Sequence, residues 1–416
     1  MHIYTACSWE RERYTLTEEY MSERNAAYIV AATRSAIGLL HGGIGSFTAP
    51  QLGAFAIKEV LERSGINPKD IDEVIMGHVI QGGTGQAPAR QAAIHGGVPP
   101  EVPAMTINKV CGSGLKAIML AAQSIRAGDQ NVVVAGGMES MSQTPYVLRG
   151  AKTGTRFGHQ KLDDIMITDG LWDSFNNFHM GNAAELTRQK ANLTREMQDE
   201  FAYNSHKKAL EAQKSGKFKE EIFDIAVPQR KGDPVIFNID EGPRADISIQ
   251  GLAKLKPAFD KEGTVTAGNA PGLNDGSSAT VVVSEKYMRD KGLKPLAKII
   301  DYAVAGTAPE DLFFAPIFAV QKLMKKMNVN INHWDLIEAN EAFAAQVLAD
   351  GNELKWDWSR VNVHGGAVAL GHPIGASGSR IVTTLIYALK DRGLKTGMAT
   401  LCLGGGNAVV MAIERV

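Results

Sequence analysis

The feature of this sequence that most restricts its possible folds is an internal repeat. In each half of the chain a Ser-Gly pair opens an apolar stretch, and a polar turn, an apolar strand and a run of glycines follow in the same order. The first copy begins at Ser113-Gly114 and ends at Gly136-Gly137, whereas the second begins at Ser377-Gly378 and ends at Gly404-Gly405-Gly406. A duplication of one structural unit is the simplest explanation for such a repeat.

Alternating strand and helix patterns predict that each unit is an α/β layer. Residues 27–32 and 71–79 have the composition of strands, and residues 51–64 predict a helix that ends at Gly65. A second unit of the same kind begins at Pro295. Two such halves packed on each other would bring their glycine turns to a shared cleft. That packing would place Cys111, from the first turn, near His372, from the second.

Changes in composition divide the chain into four parts. Residues 1–25 are polar with charges of both signs, and they lack the features of a secretory signal or transit peptide. Residues 148–269 are richer in charge and broken by prolines, which predicts an insertion that lies over the core. We therefore expect a first half at 26–147 together with 270–293, the insertion as a separate loop domain, and a second half at 294–416. Large insertions of this kind often bind ligands.

Composition excludes several classes of function. The net charge is −1, from 44 basic and 45 acidic side chains, which gives no reason to expect a nucleic acid or a membrane surface as partner. No run approaches the roughly 20 apolar residues that a membrane span needs. Three cysteines, at positions 7, 111 and 402, are too few and too scattered for a disulfide framework or a paired zinc motif. Thiols in this pattern suit a reducing compartment, so we expect a cytoplasmic protein.

Cys111 lies on a glycine-rich turn at the start of a predicted buried helix, residues 115–127. Unpaired backbone N–H groups and the helix dipole favour an anion at such a position. We therefore expect the pKa of this thiol to fall from about 8.5 into roughly the 3.5–7.5 range, which would make it a nucleophile. A lone cysteine beside a buried helix is, however, more often an inert small apolar residue.

Three further stretches supply chemistry that would complement Cys111. They contain Asn340 on a strand-to-helix turn, His372 in a Gly-His-Pro turn, and Cys402 directly before Gly404. His372 would accept the Cys111 proton, and the resulting thiolate would attack a thioester carbonyl. Backbone N–H groups at Cys111 and Gly404 would bind the oxyanion, Asn340 would position a water, and Cys402 would act as a base at carbon. A metal site built from both cysteines and His372 is an alternative, but it explains the glycine turns poorly.

These motifs together strongly resemble those of the thiolase family. The matching stretches, in chain order, are residues 108–117, 340–344, 371–378 and 402–406. The resemblance extends from about Ala26 to Val416, and it is closest to the short-chain acetyl-CoA acetyltransferase members. It implies a five-layered α/β/α/β/α core made of two βαβαβ halves, with a loop domain that covers the coenzyme A site.

The resemblance also implies a ping-pong reaction. One acetyl-CoA would acetylate Cys111, and Cys402 would deprotonate the methyl group of a second. The enolate, stabilised by His372 and by a water on Asn340, would attack the acetyl group to give acetoacetyl-CoA and CoA. The backbone N–H groups of Cys111 and Gly404 would form the other oxyanion hole. Coenzyme A thioesters would be substrates, no cofactor would be needed, and a homotetramer or homodimer is expected.

Substrate contacts are implied at several positions that match the family. The His-Met-Gly run at His179 and Met180 favours a short acyl chain, and Arg244 matches a position near the CoA nucleotide. The other implied contacts are Ala258, Phe259, Ala342 and Phe343. The sequence departs from the family pattern where Gly251 and Pro271 replace serines near CoA and where His364 replaces an asparagine.

Two other functions stay open at the level of sequence. One is a broader 3-ketoacyl-CoA thiolase of fatty-acid degradation, which would use the same residues on longer acyl chains. The other is a catalytically silent CoA- or lipid-binding subunit. The presence of all the reactive positions argues against the silent subunit.

Overall fold

The computed structural model describes residues 25–154 and 157–416, so nearly all of the expected N-terminal extension lies outside the described residues. Within that part of the chain, a mixed sheet of eleven strands forms the framework. The strands of the whole structure, including three short pairs outside this sheet, are β1 Ala27–Ser35, β2 Gly38–Leu39, β3 Glu73–Gly77, β4 Ala104–Ile107, β5 Val132–Ser140, β6 Tyr146–Leu148, β7 Leu162–Asp164, β8 Trp172–Asp173, β9 Phe178–His179, β10 Ile222–Phe223, β11 Ile225–Val227, β12 Val235–Phe237, β13 Asn274–Ser284, β14 Ala297–Gly306, β15 Leu336–Ala339, β16 Thr396–Leu403 and β17 Asn407–Arg415.

The sheet consists of two halves joined near its middle. Its order is β15-β16-β17-β14-β1-β13-β5-β3-β4, with β2 paired to β13 and β10 paired to β1. The halves meet where β1 and β14 run antiparallel, with Tyr28 opposite Lys298 and Ile29 opposite Ala297. In both halves a parallel pair lies at the outer edge, β3 with β4 and β15 with β16. This similarity agrees with the duplication inferred from the sequence.

Helices form layers on both sides of the half-sheets. The α-helices are α1 Ala49–Ser64, α2 Pro88–His95, α3 Ser113–Ala127, α4 Met180–Lys190, α5 Arg195–Lys214, α6 Ile249–Ala253, α7 Glu285–Asp290, α8 Ala315–Met327, α9 Ala344–Leu354, α10 Ala367–Leu370 and α11 Ser377–Asp391. Helices α1 and α2 cover the first half-sheet, and α8 and α9 cover the second. Helices α3 and α11 share one apolar cluster with strands of both halves. The predicted five-layered α/β/α/β/α architecture is therefore confirmed.

Local sequence signals account for the helix boundaries. Helix α1 begins after Thr48, whose side chain forms a capping box with Gln51, and it ends at Gly65 in the left-handed conformation (φ 65°). The helix predicted over residues 115–127 begins two residues earlier, at Ser113, and stops at Gly128 as expected. The strand predicted at 71–79 is shorter, at 73–77.

Glycines allow helices α3 and α11 to meet at their first turns. A Cβ on Gly114 would lie 2.7 Å from the backbone nitrogen of Ser379, and a Cβ on Gly378 would overlap the backbone of Leu115. Nearby, a Cβ on Gly137 would overlap the carbonyl of Gly375. Only glycine permits backbones to approach this closely. The convergence of the two turns, expected from the repeat, is present in the structure.

The segment between residues 148 and 269 does more than lie over the core. It contains α4, α5, α6 and the strand pairs β8-β9 and β11-β12, but its strand β10 joins the main sheet by pairing with β1. Arg34 on β1 is fully buried and ion-pairs with Glu221 and Asp240 of this segment, at 2.6 and 2.7 Å. Across residues 25–154 and 157–416, no helix is long and apolar enough to cross a bilayer.

Candidate active site

The two glycine turns and the inserted segment enclose a mainly apolar cavity of about 470 Å³. All but one of the residues predicted to act in catalysis or substrate binding line it: Cys111, His372, Cys402, Gly404, His179, Met180, Arg244, Ala258, Phe259, Ala342 and Phe343. The exception, Asn340, lies directly behind the wall, where its Nδ2 is 3.4 Å from Nε2 of His372. Residues from both halves and from the insertion therefore meet at one site.

The turn that presents Cys111 is held in a strained conformation. Val110 has φ 45°, a left-handed value that is unfavourable for a β-branched residue. Its N–H donates to Oδ1 of Asn108 (2.9 Å), and its carbonyl accepts from Oγ of Ser113 (2.7 Å). The Ser113 Oγ also accepts from the N–H of Lys109 (2.8 Å). These bonds compensate the strain and fix the direction of the Cys111 side chain.

The Cys111 sulfur interacts with the two N–H groups that the sequence singled out. The backbone N–H groups of Cys111 and Gly404 donate hydrogen bonds to it and favour the thiolate. Burial acts in the opposite direction and is stronger, so the pKa of the thiol is raised to about 12. The lowered pKa expected from the helix N-terminus is therefore wrong, because Cys111 precedes helix α3 and lies in a poorly solvated site.

Hydrogen bonds fix the tautomer of His372. The Ser377 hydroxyl donates to the carbonyl of Pro373 (2.9 Å), so it accepts the Nδ1–H of His372 at 2.6 Å. Nε2 then carries the lone pair, which faces Nδ2 of Asn340 at 3.4 Å and is the position that can accept a proton. Burial, followed by the charge of Arg380, lowers the pKa of His372 to about 3. At neutral pH the imidazole is uncharged, which is the form a proton acceptor needs.

Asn274 supports the backbone of the histidine turn. Its Oδ1 accepts the N–H of His372 (2.9 Å), and its Nδ2 donates to the carbonyl of Gly38 (3.0 Å). Gly371 packs against this amide with φ 109°, and a Cβ there would lie 2.5 Å from the Asn274 side chain. The Gly-His turn thus needs both the unusual φ and the absence of a side chain.

Cys402 lies at the end of strand β16 and is 1% exposed. It belongs to an apolar cluster that also contains Ala342, Phe343, Leu312 and Phe313. Burial raises its pKa well above the usual value, and a negative charge on Cys111 would raise it further. Both cysteines are therefore thiols in the resting site.

Aromatic rings form one wall of the cavity. His179 stacks on Phe259 with ring centroids 4.8 Å apart, and Phe343 meets Phe259 and Phe313 edge to face. The Nδ1 of His179 accepts from the N–H of Gly181 (3.0 Å), which leaves Nε2–H as a donor. Burial lowers the pKa of His179, so the ring is uncharged. This wall bounds the apolar part of the cavity next to the two thiols.

The positions where the sequence departs from the family pattern lie in different places. Pro271 lines the cavity, Gly251 does not, and His364 lines a separate cavity between α5 and the second half. His364 therefore has no direct effect on the polarity of the candidate site. Arg244 is exposed at the rim, and no partner is recorded for its guanidinium among the described residues.

Sequence reasoning missed several residues of the site. Leu312 and Phe313 reach the wall from a turn that no motif marked, and Met166 and Leu171 reach it from the insertion. Ser377 lies in the repeat and in the matching stretch at 371–378, but neither gives it a role, although a hydroxyl five residues after the histidine at a helix start is an available signal. In the described part of the chain, no group of three or more His, Cys, Asp or Glu side chains has the arrangement of a metal site.

Comparisons with known proteins agree with this geometry. The family models for the thiolase N-terminal domain and the thiolase C-terminal domain match residues 27–286 and 293–415. Proteins named acetyl-CoA acetyltransferase from Pseudomonas aeruginosa and Cupriavidus necator are each 54% identical over 93% of this chain and 98% of their own lengths. The crystal structure of the Bacillus anthracis acetyl-CoA acetyltransferase superposes with a TM-score of 0.93 at 45% identity, over 94% of this chain and 99% of that one. The chain belongs to the thiolase family.

Proposed function

We propose that this chain is an acetyl-CoA C-acetyltransferase, which condenses two acetyl-CoA into acetoacetyl-CoA and CoA and also catalyses the reverse thiolysis. The observation that supports this most is one cavity with two thiols, a neutral imidazole and a pair of converging N–H groups. The relatives named acetyl-CoA acetyltransferase support the choice of substrate.

In the first half-reaction Cys111 is the nucleophile. His372 Nε2 takes the proton from its sulfur, which attacks the carbonyl carbon of acetyl-CoA. The N–H groups of Cys111 and Gly404 stabilise the oxyanion. When the bond between carbon and the CoA sulfur breaks, the leaving thiolate takes the proton of Cys402. The site then holds acetyl-Cys111, a Cys402 thiolate and a protonated His372.

In the second half-reaction Cys402 is the base. Its thiolate removes a methyl proton from a second acetyl-CoA, and the enolate oxygen is stabilised by the protonated His372 and by a water held on Asn340. The enolate carbon attacks acetyl-Cys111 and forms the new carbon–carbon bond. The Cys111 sulfur leaves and recovers its proton from His372, so all groups return to their starting state.

The remaining cavity residues suit a coenzyme A thioester. Arg244 at the rim offers a phosphate a guanidinium that has no partner among the described residues, and Nε2–H of His179 is a donor on the wall. Ala258, Phe259, Ala342 and Phe343, with Met180, bound the acyl end, where the aromatic rings favour acetyl and acetoacetyl groups over long chains. This wall favours the short-chain activity over a broad 3-ketoacyl-CoA thiolase. No cofactor enters these steps.

We further propose a homodimer or homotetramer that acts in the cytoplasm, in lipid metabolism. Support for assembly comes from apolar side chains exposed between residues 146 and 175, which include Tyr146 (64% exposed), Leu162 (58%) and Phe175 (74%). Exposed apolar groups concentrated in one segment are typical of a protein–protein contact.

Intact-mass spectrometry with acetyl-CoA tests the proposed function. The wild-type protein should gain one acetyl group, Cys111→Ala should gain none, and Cys402→Ser should still gain it but form no acetoacetyl-CoA. Cys402 is present in Cys111→Ala, so that variant controls for acetylation of the other thiol. A wild-type protein without the adduct would contradict the function, and a Cys402→Ser variant that condenses at the normal rate would remove the role of Cys402.

A further inference from the structure

A buried carboxyl group that takes no part in the steps above lies on helix α9. Asp350 is 0% exposed. Its Oδ2 accepts a hydrogen bond from Nε2 of Gln346, one turn earlier, at 2.6 Å. Its Oδ1 has no hydrogen-bond partner among the described residues. A carboxyl group with one partner in an apolar interior is costly, which suggests a specific use for it.

Gln346 connects this carboxyl group to the active site. Its Oε1 accepts the N–H of Ala342 at 3.0 Å, and the amide is 1% exposed. Ala342 belongs to the strand-to-helix turn that also carries Asn340 and Phe343. An amide side chain donates through its nitrogen and accepts through its oxygen, and the backbone N–H of Ala342 needs the oxygen. The bond from Nε2 to Asp350 satisfies the donor end in that orientation and holds the amide in place.

The charge state of Asp350 matters for Cys402. Burial raises the pKa of the carboxyl group well above its usual value and so favours the neutral acid, whose carbonyl oxygen still accepts from Gln346. If the group were ionised, its negative charge would raise the pKa of Cys402 and oppose formation of the thiolate. A neutral acceptor at position 350 is thus compatible with a thiolate base nearby.

We propose that Asp350 is a positioning residue for carbon–carbon bond formation, because through Gln346 it holds the turn that keeps Asn340 against His372. This inference rests on the proposed function, in which Asn340 serves the enolate of the second half-reaction. The first half-reaction uses Cys111, His372, the proton of Cys402 and the two N–H groups, and no step of it involves Asn340. Loss of the acceptor at position 350 should therefore slow the second half-reaction selectively.

The test compares Asp350→Leu with Asp350→Asn in both half-reactions. Leucine has a similar size but no acceptor, whereas asparagine resembles the neutral acid and keeps a carbonyl oxygen. We expect Asp350→Leu to lower kcat for condensation roughly tenfold, as for a lost buried hydrogen bond, while acetylation of Cys111 stays within about twofold of wild type. Asp350→Asn should restore condensation. Val347→Ala shortens a buried apolar side chain on the same helix and leaves the bonds of Gln346 and Asp350 in place, so it should reduce stability without separating the half-reactions.

Three results would overturn the inference. They are equal slowing of both half-reactions in Asp350→Leu, normal condensation in that variant, and an Asp350→Asn variant as slow as Asp350→Leu. If Asp350→Leu does not fold, Gln346→Met removes the same two hydrogen bonds at their shared residue and must show the same selective loss of condensation. A wild-type protein that is not acetylated would refute the proposed function instead, so the two failures are distinguishable.

Discussion

Replacing Ser377 by alanine tests the view that a single hydroxyl determines which nitrogen of His372 is the base. In the structure Nδ1–H of His372 donates to Oγ of Ser377 at 2.6 Å, and that hydroxyl donates onward to the carbonyl of Pro373 at 2.9 Å. Alanine leaves a buried imidazole N–H without a partner, which costs about 1–3 kcal/mol. It also permits the tautomer with hydrogen on Nε2, which cannot accept a proton from Cys111.

About 1.4 kcal/mol in the activation free energy changes a rate tenfold, so that cost predicts acetylation of Cys111 roughly 5- to 150-fold slower than in wild type. Rapid quench followed by mass spectrometry of the acetyl adduct measures this rate directly. Ser379→Ala is the matched control, because Ser379 is a buried serine of the same helix that donates to the carbonyl of Ala376 (3.0 Å). It should acetylate at nearly the wild-type rate. A Ser377→Ala variant within twofold of wild type would refute the reasoning.

Three further outcomes are expected. Arg244→Gln should raise KM for acetyl-CoA about tenfold and leave kcat nearly unchanged, because a phosphate contact at the rim is equal in ground and transition states. Steady-state kinetics measures both constants, and a fall in kcat with an unchanged KM would contradict this role. Gly378→Ala should lower the free energy of unfolding by about 1–3 kcal/mol, since its Cβ overlaps the backbone of Leu115, and an unchanged urea midpoint would contradict this. The folded-state pKa values of His372 (about 3) and His364 (about 4) lie below the usual 6.5, so the unfolded chain binds more protons between these values. Burial of these two imidazoles in the uncharged form costs no stability above pH 6.5, but it lowers the free energy of unfolding as the pH falls towards 4. The Tm should therefore drop on acidification. It should drop less steeply in His364→Asn.

Long, strongly patterned elements were predictable from the sequence. The helix that ends at Gly65 and the helix that ends at Gly128 have their predicted C-termini, because a glycine in the left-handed conformation stops a helix independently of its surroundings. The structure of the inserted segment was harder to predict from the sequence. Its strands, such as β10 with Ile222 and Phe223, have two or three residues, which is too short for any period to appear. The pairing of β10 with β1 lies beside the ion pairs of Arg34 with Glu221 and Asp240, and all of these contacts join residues far apart in the sequence.

The candidate site shows the same division between local and non-local information. The repeat predicted that Cys111 and His372 would face a common cleft, and the structure brings both to one cavity. Asn274, which supports the histidine turn, comes from strand β13, nearly a hundred residues earlier in the chain, and only the folded sheet connects the two. His364 shows the reverse, since it replaces an asparagine of the family pattern, but its side chain lines another cavity.

The incorrect prediction for Cys111 has a physical cause that bears on the mechanism. The helix dipole and two N–H bonds stabilise a thiolate by a few kcal/mol at most, whereas removal of the sulfur from water costs more. The resting pair is therefore a thiol and a neutral imidazole. In the proposed mechanism the N–H groups of Cys111 and Gly404 that contact the sulfur are also the donors for the oxyanion. A bound thioester would take these donors for its carbonyl oxygen, which removes their stabilisation from a free thiolate. Proton transfer from Cys111 to His372 and attack of the sulfur on the carbonyl carbon are therefore expected to occur together.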